Sequence, residues 1–273
     1  MSKVRVRYPL KFDDQRTLSP DYSGPVFVWD IDKTYLNTPF STVKGMARIP
    51  VEFAIDKKAV PGMPEILRGL RRGHGDEIKC QPLYFVSASP VQLRPIIERK
   101  MLLDGVEYDG IIFKDWLKVL KSMKPSRLTE QVGFKVFALL LGRLHRPHAI
   151  EYLFGDDAES DPDSFSFYAD LISGQYRERR AKRILTELGV AVYDQDLIMD
   201  LWQQIPKGGR VERIFIHQVN ESPVARPHNP LVSMVQDSSE LVAMLRKDCL
   251  VDDMAVEQVA RVVSEDRSRE IKT

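Results

Sequence analysis

Short, nearly continuous apolar runs recur along the chain at "VFVW" (26 to 29), "PLYFVS" (82 to 87), "YDGIIF" (108 to 113), "AIEYLFG" (149 to 155) and "RIFIHQV" (213 to 219). They lack the in-and-out alternation of a sheet with one wet face, which is the pattern of parallel strands covered on both sides. Between them, apolar residues fall at helical spacing in "PEILRGLRR" (64 to 72), "VQLRPIIERKMLL" (91 to 103), "LTEQVGFKVFALLLGRL" (128 to 144) and "DSFSFYADLIS" (163 to 173). Strand and helix in alternation predict an α/β fold: a doubly wound, Rossmann-like, mainly parallel sheet.

Two stretches break the rhythm. Residues 33 to 60 are too many for a simple strand-to-helix connection and predict a short flap or cap insertion after the first strand. Residues 174 to 210 contain "QYRERRAKRILTELG" and "YDQDLIMDLWQQI", which read as two extra helices inserted before the last core strand. Beyond the proline-containing "NESPVARPHNP", residues 231 to 273 read as C-terminal helices near 237 to 247 and 252 to 264, with a frayed tail. The whole, 1 to 273, is expected to form a single domain. Pro95 would kink the helix after "SASP" unless that helix starts later.

Composition narrows the class. With 43% hydrophobic and 29% charged residues, neither wholesale disorder nor a membrane-embedded chain fits. A formal charge of +1 removes any global electrostatic argument for nucleic acid or an anionic membrane, so anion recognition must be local. No apolar segment approaches the roughly 18 residues of a spanning helix, and the start of the chain lacks a signal-peptide core. A cytoplasmic protein is expected; the sequence says nothing of oligomeric state. Cys80 and Cys249 are too few for a disulfide framework and read as reduced, structural residues. His145 and His148, in "RLHRPH", read as a solvated turn in preference to a metal site, and Trp29 as sheet core. The charged "RERRAKR" (177 to 183) reads as a solvent-facing helix, and His217 as a satisfied core histidine in preference to a catalyst.

In a doubly wound sheet the functional crevice lies beyond the carboxyl ends of the strands. Asp30 and Asp32 leave the first run there, "SASP" leaves the second and "GDDAESDP" the fourth. Several carboxylates gathered at one point repel unless a cation is shared, and an all-oxygen site suits Mg²⁺. Asp30 then reads as both metal ligand and nucleophile on phosphorus, and Asp32 as general acid and base that also belongs to the metal set. Asp156 and Asp161 complete the metal candidates, although Asp161 before Pro162 is also an ordinary helix start. Ser87, Ala88, Thr34 and Lys135 are the phosphate-binding candidates, with Thr34 also suited to brace the turn. Ser89 reads as an N-cap with Pro90 at the first helical position. Lys135 faces competition from Lys114, Lys118, Lys121 and Lys124.

Taken in order, "DIDKT", "FVSAS", the later lysine and "GDDAESD" resemble the four motifs of the haloacid-dehalogenase-like phosphatases. The resemblance implies that Asp30 matches the nucleophile, Asp32 the acid and base, Ser87 the phosphate-binding hydroxyl, Lys135 the lysine, and Asp156 with Asp161 the metal carboxylates. "AVPGMPEILRGL", "FVSASPVQLRPII", "IIFKDW" and "LFGDDAESDPDSFSFYADL" further resemble the catalytic domain of the actin-patch-type phosphatidate phosphatases and their bacterial relatives, over about residues 24 to 172 and again at "RIFIHQV". Lys33 stands where many relatives carry an acid, Asp157 where a small residue is common, and 174 to 210 is longer than in the family. The expected function is a Mg²⁺-dependent phosphatase for a phosphorylated small molecule or lipid, phosphatidate included. Two alternatives stay open: the same chemistry on a soluble or nucleic-acid phosphate end, and a non-catalytic module that binds a phosphorylated ligand.

Overall fold

The computed structural model describes residues 8–37, 58–121, 130–220 and 229–270. Seven strands form one sheet in these residues: β1 (Leu10–Asp14), β2 (Pro25–Asp30), β3 (Leu83–Pro90), β4 (Gly110–Lys114), β5 (Ile150–Asp156), β6 (Arg210–His217) and β7 (Val232–Val235). The order across the sheet is β1-β4-β3-β2-β5-β6-β7, and only β1 runs antiparallel to its neighbour. The chain therefore builds outward from β2 to β4 on one side and then crosses to β5, so the strand order reverses between β2 and β5. That reversal opens a crevice at the carboxyl ends of those two strands.

Nine helices lie among the described residues: α1 (Met63–Arg72), α2 (Arg94–Leu103), α3 (Trp116–Lys121), α4 (Val132–His145), α5 (Asp161–Ile172), α6 (Glu178–Glu187), α7 (Val192–Trp202), α8 (Ser238–Lys247) and α9 (Asp253–Glu270). Helix starts follow local chemistry. Gly62, at φ 83°, turns the chain into α1 with Pro64 in its first turn, and the Asp237 side chain caps α8 by accepting from the Glu240 N–H. Pro95 falls in the first turn of α2, where its missing N–H costs nothing, so the helix starts at Arg94 without a kink.

The pleat of β2 sends Val26 and Val28 to a core shared with α4, α5, α6 and α7, and Phe27 and Trp29 to a second core shared with α1, α2, α8 and α9. Both sheet faces are thus covered, which is why the strand sequences do not alternate. Trp29 is fully buried and stacks on Phe154 with ring centroids 4.2 Å apart; Phe154 stacks in turn on Phe215 at 5.1 Å. Among the described residues no helix is long and apolar enough to cross a membrane.

The structure corrects several expectations. β6 is not the last strand, since β7 pairs parallel beyond it inside the stretch expected to be purely helical. β1, α3 and β7 are additions, and α9 continues to Glu270 where fraying was expected. Cys80 and Cys249 are free but exposed, on backbone with positive φ, so they are not core residues. The expected flap at 33 to 60 falls mostly outside the described residues; its two roots meet where Leu36 bridges both Asp32 and Ala59. Residues 174 to 210 hold α6 and α7.

Candidate active site

β2 ends in Asp30 and β5 in Asp156, and the two strands are direct neighbours on either side of the crevice. Asp161 opens α5 five residues further on and folds back, so that its carboxylate accepts from the Asp156 N–H at 3.2 Å. Gly155 makes that return feasible: a Cβ there would come within 2.6 Å of the Asp161 Cβ. One carboxylate oxygen from each of Asp30, Asp156 and Asp161 can be chosen so that all three lie within 4.8 Å of one another.

Lys135 reaches this cluster from the first turn of α4. Its Nζ lies 3.0 Å from Asp30 Oδ1 and 3.1 Å from Glu159, and it donates to Asp161; the side chain is fully buried. The contact to Asp30 is an ion pair without hydrogen-bond alignment, and Asp30 Oδ2 has no hydrogen-bond partner among the described residues. Four carboxylates thus face one ammonium. Burial pushes the Asp30 carboxyl well above the usual carboxylate range, with Lys135 opposing and the neighbouring acids adding to the rise. Burial and the Asp161 charge push Asp156 up to about 8, and burial raises Asp161 against the pull of Lys135. For Lys135 burial acts downward, but Asp161, Asp30, Glu159 and Asp156 outweigh it and hold the ammonium charged. A compact, oxygen-only, cation-deficient cluster with an orphaned carboxylate oxygen is a fitting donor set for a small divalent cation.

Asp32 stands apart from that trio. Its Oδ2 accepts from Ser89 Oγ at 2.6 Å and from Ser87 Oγ at 3.2 Å. Ser89 therefore does not cap the following helix as expected: a 3₁₀ turn, Val91–Leu93, intervenes before α2, and the hydroxyl serves Asp32. Thr34 Oγ1 reaches Asp156 Oδ2 at 3.4 Å, linking the β2 loop to the β5 loop. Ala88 sits between the two serines, its carbonyl accepting from the Trp116 indole N–H at 2.9 Å, which ties α3 to the end of β3. Of the competing lysines, Lys114 donates to the Glu130 carbonyl and the exposed Lys118 pairs with the buried Asp115. Lys121 and Lys124 carry no described side chain.

Three residues make contacts the sequence did not specify, Asp157 having been noted only as a departure from the family and His217 only as a satisfied core histidine. Glu159 is a second partner of Lys135, and only its position between Asp156 and Asp161 hinted at this. Asp157 clamps the start of the β6–β7 connection, its Oδ1 accepting from the Val219 and Asn220 N–H groups at 2.7 and 3.0 Å. His217 ends β6 beside Asp156 and contacts the Lys33 carbonyl through Nδ1 at 3.2 Å. Two cavities lie elsewhere, about 720 Å³ lined by α1, α2 and α9 residues and about 760 Å³ beside Trp202 and Gly209. Neither is lined by a residue of the carboxylate cluster.

Residues 26–179, more than half of the chain, match the family model for the phosphatidate phosphatase APP1 catalytic domain. None of the curated proteins or solved structures compared with the chain matches it.

Proposed function

The chain belongs to the phosphatidate phosphatase APP1 catalytic-domain family, and on that membership and the chemistry of the crevice we propose that it hydrolyses phosphatidate or a similar phosphomonoester, with Mg²⁺ as cofactor and an aspartyl-phosphate on Asp30 as intermediate. The observation that carries the reading is Asp30: buried at the switch point, 3.0 Å from the Lys135 ammonium, with its second oxygen free of hydrogen bonds among the described residues. A carboxylate that only held the fold together would be paired on both oxygens.

Asp30, with Asp156 and Asp161, would hold the cation, which when bound supplies charge neutralisation to the phosphoryl oxygens. Asp30 attacks phosphorus, forming an O–P bond as the bond to the leaving oxygen breaks. Asp32 gives its proton to that oxygen, then takes one from the water that attacks the phosphoaspartate, which restores both carboxyl groups. Ser87 and Ser89 hold Asp32 in place, and the Ser87 hydroxyl and the Lys135 ammonium are the donors suited to a phosphoryl group. The free thiols of Cys80 and Cys249 suit a reducing compartment, and the cytoplasm is part of the same proposal.

The test is hydrolysis of p-nitrophenyl phosphate with and without Mg²⁺, by the wild type and by Asp30→Asn and Asp32→Asn. The expected result is metal-dependent turnover reduced by at least about 10³-fold in each variant. A wild type as inert as its variants across metals would instead favour a phospho-ligand binding module. A panel of phosphatidate, sugar phosphates and nucleotide or nucleic-acid phosphate ends then ranks the substrates.

A further inference from the structure

The end of β6 supplies no group to the reaction as written, yet it is bonded to both loops that do. Lys33 lies between Asp32 and Thr34, and its backbone is left-handed at φ 60°, a region that a lysine enters only when its surroundings hold it there. Backbone bonds fix one side of this turn: Lys33 N–H donates to the Leu36 carbonyl at 2.7 Å, and the Tyr35 and Leu36 N–H groups donate to Ile31 at 3.0 and 2.9 Å. The Lys33 carbonyl points the other way, to His217 Nδ1 at 3.2 Å. A carbonyl oxygen can only accept, so the contact requires the proton on Nδ1.

His217 is also wired to the second loop. Its own carbonyl accepts from the Asp157 N–H at 3.0 Å, and Asp157 in turn accepts from the Val219 and Asn220 N–H groups and takes the Asn220 side-chain amide on its carbonyl at 2.7 Å. The end of β6 thus binds the Asp32 turn through a side chain and the Asp156–Asp157 turn through backbone. Those same two turns meet again through Thr34 and Asp156. We propose that His217 is a positioning residue for this phosphatase, holding the left-handed Lys33 turn so that the Asp32 carboxyl meets the leaving oxygen. The role rests on the functional reading above, in which Asp32 is the general acid.

Removing the brace should harm proton donation more than nucleophilic attack. A nitrophenolate leaves without much help, whereas phenolate needs its proton, so a misplaced acid penalises phenyl phosphate more than p-nitrophenyl phosphate. In His217→Leu the expected kcat/KM falls less than about fivefold on p-nitrophenyl phosphate and at least about tenfold further on phenyl phosphate, with KM little changed. His217→Asn, whose amide N–H can stand where Nδ1–H stood, should recover most of that gap. Nitrogen NMR of the ring supplies an activity-independent readout, with the Nδ1–H tautomer expected. Equal losses on both esters, an Asn variant no better than Leu, or an Nε2–H tautomer would overturn the role. A wild type that cleaves neither ester while showing Nδ1–H would overturn the functional reading and the positioning role with it, and leave the hydrogen bond itself standing.

Discussion

Lys135 Nζ sits 3.0 Å from Asp30 Oδ1 with both side chains sealed from solvent, so the group read as nucleophile and the cation nearest it share one dry pocket. In such surroundings an ammonium does more than in water, both in opposing the burial that raises the Asp30 carboxyl and in meeting charge on a phosphoryl group. Lys135→Met is expected to lower kcat by about 10²–10³-fold. Lys135→Arg should not rescue it, because a planar, wider guanidinium does not fit a slot that closes around a single Nζ. Steady-state kinetics at saturating Mg²⁺ check both.

The carboxylate cluster makes the metal-free fold sensitive to alkali. Burial and the Asp161 charge raise the Asp156 carboxyl from the ordinary 3.8 to about 8 in the fold, so the native state is expected to hold the extra proton between those limits. Stability from this group is full below the lower value and is lost as pH rises through the upper one. Asp156→Asn removes that loss. In EDTA the variant's Tm relative to wild type should therefore rise between about pH 4 and pH 8, and Mg²⁺ should lift the wild type by displacing the proton. Thermal melts across that range decide it; a difference that stays flat with pH would sink the assignment.

The strand-end rule made Asp30 and Asp156 legible because their placement follows from strongly apolar runs, whereas Lys135 was read from its place early in the helix before β5. What escaped has a common physical cause. β7 is only "VSMV" and β1 only "LKFDD", edge segments that become strands by pairing with β6 and β4 and carry little periodicity of their own. Ser89 before Pro90 satisfies the local chemistry of a helix start, but a partner 57 residues away, Asp32, claims the hydroxyl. In the "GDDAESD" turn, spacing gave the carboxylates but not their directions. Asp156 and Asp161 face the crevice cluster, Glu159 faces Lys135, and Asp157 turns to the β6–β7 connection.

Gly155 tests whether the return of Asp161 onto Asp156 builds the cation site. A methyl at this position would strike the Asp161 carboxylate, and the buried α5 start leaves the aspartate nowhere to retreat except away from the cluster. Gly155→Ala is expected to weaken Mg²⁺ at least about tenfold, read by calorimetry and by the Mg²⁺ dependence of turnover, with far-UV circular dichroism unchanged. An unaltered Mg²⁺ titration would remove Asp161 from the site.

Stability and chemistry should separate along β5. At its amino end Glu151, fully buried, receives Arg143 Nη2 at 2.7 Å, Arg146 Nε at 3.1 Å and the Tyr168 hydroxyl at 2.6 Å. Five residue steps of strand, roughly 16 Å, divide it from Asp156 at the other end. Removing this carboxylate strands the Arg143 guanidinium in the interior, where an unpaired charge costs about 3–5 kcal/mol. For a chain of this size that lowers Tm by roughly 10 °C. Glu151→Ala should do so while kcat at 20–25 °C stays within about twofold of wild type, since no group of the crevice leans on it. Paired thermal melts and initial rates measure the two effects on one preparation, and a kcat that falls in step with Tm would mean the two ends of the strand are coupled.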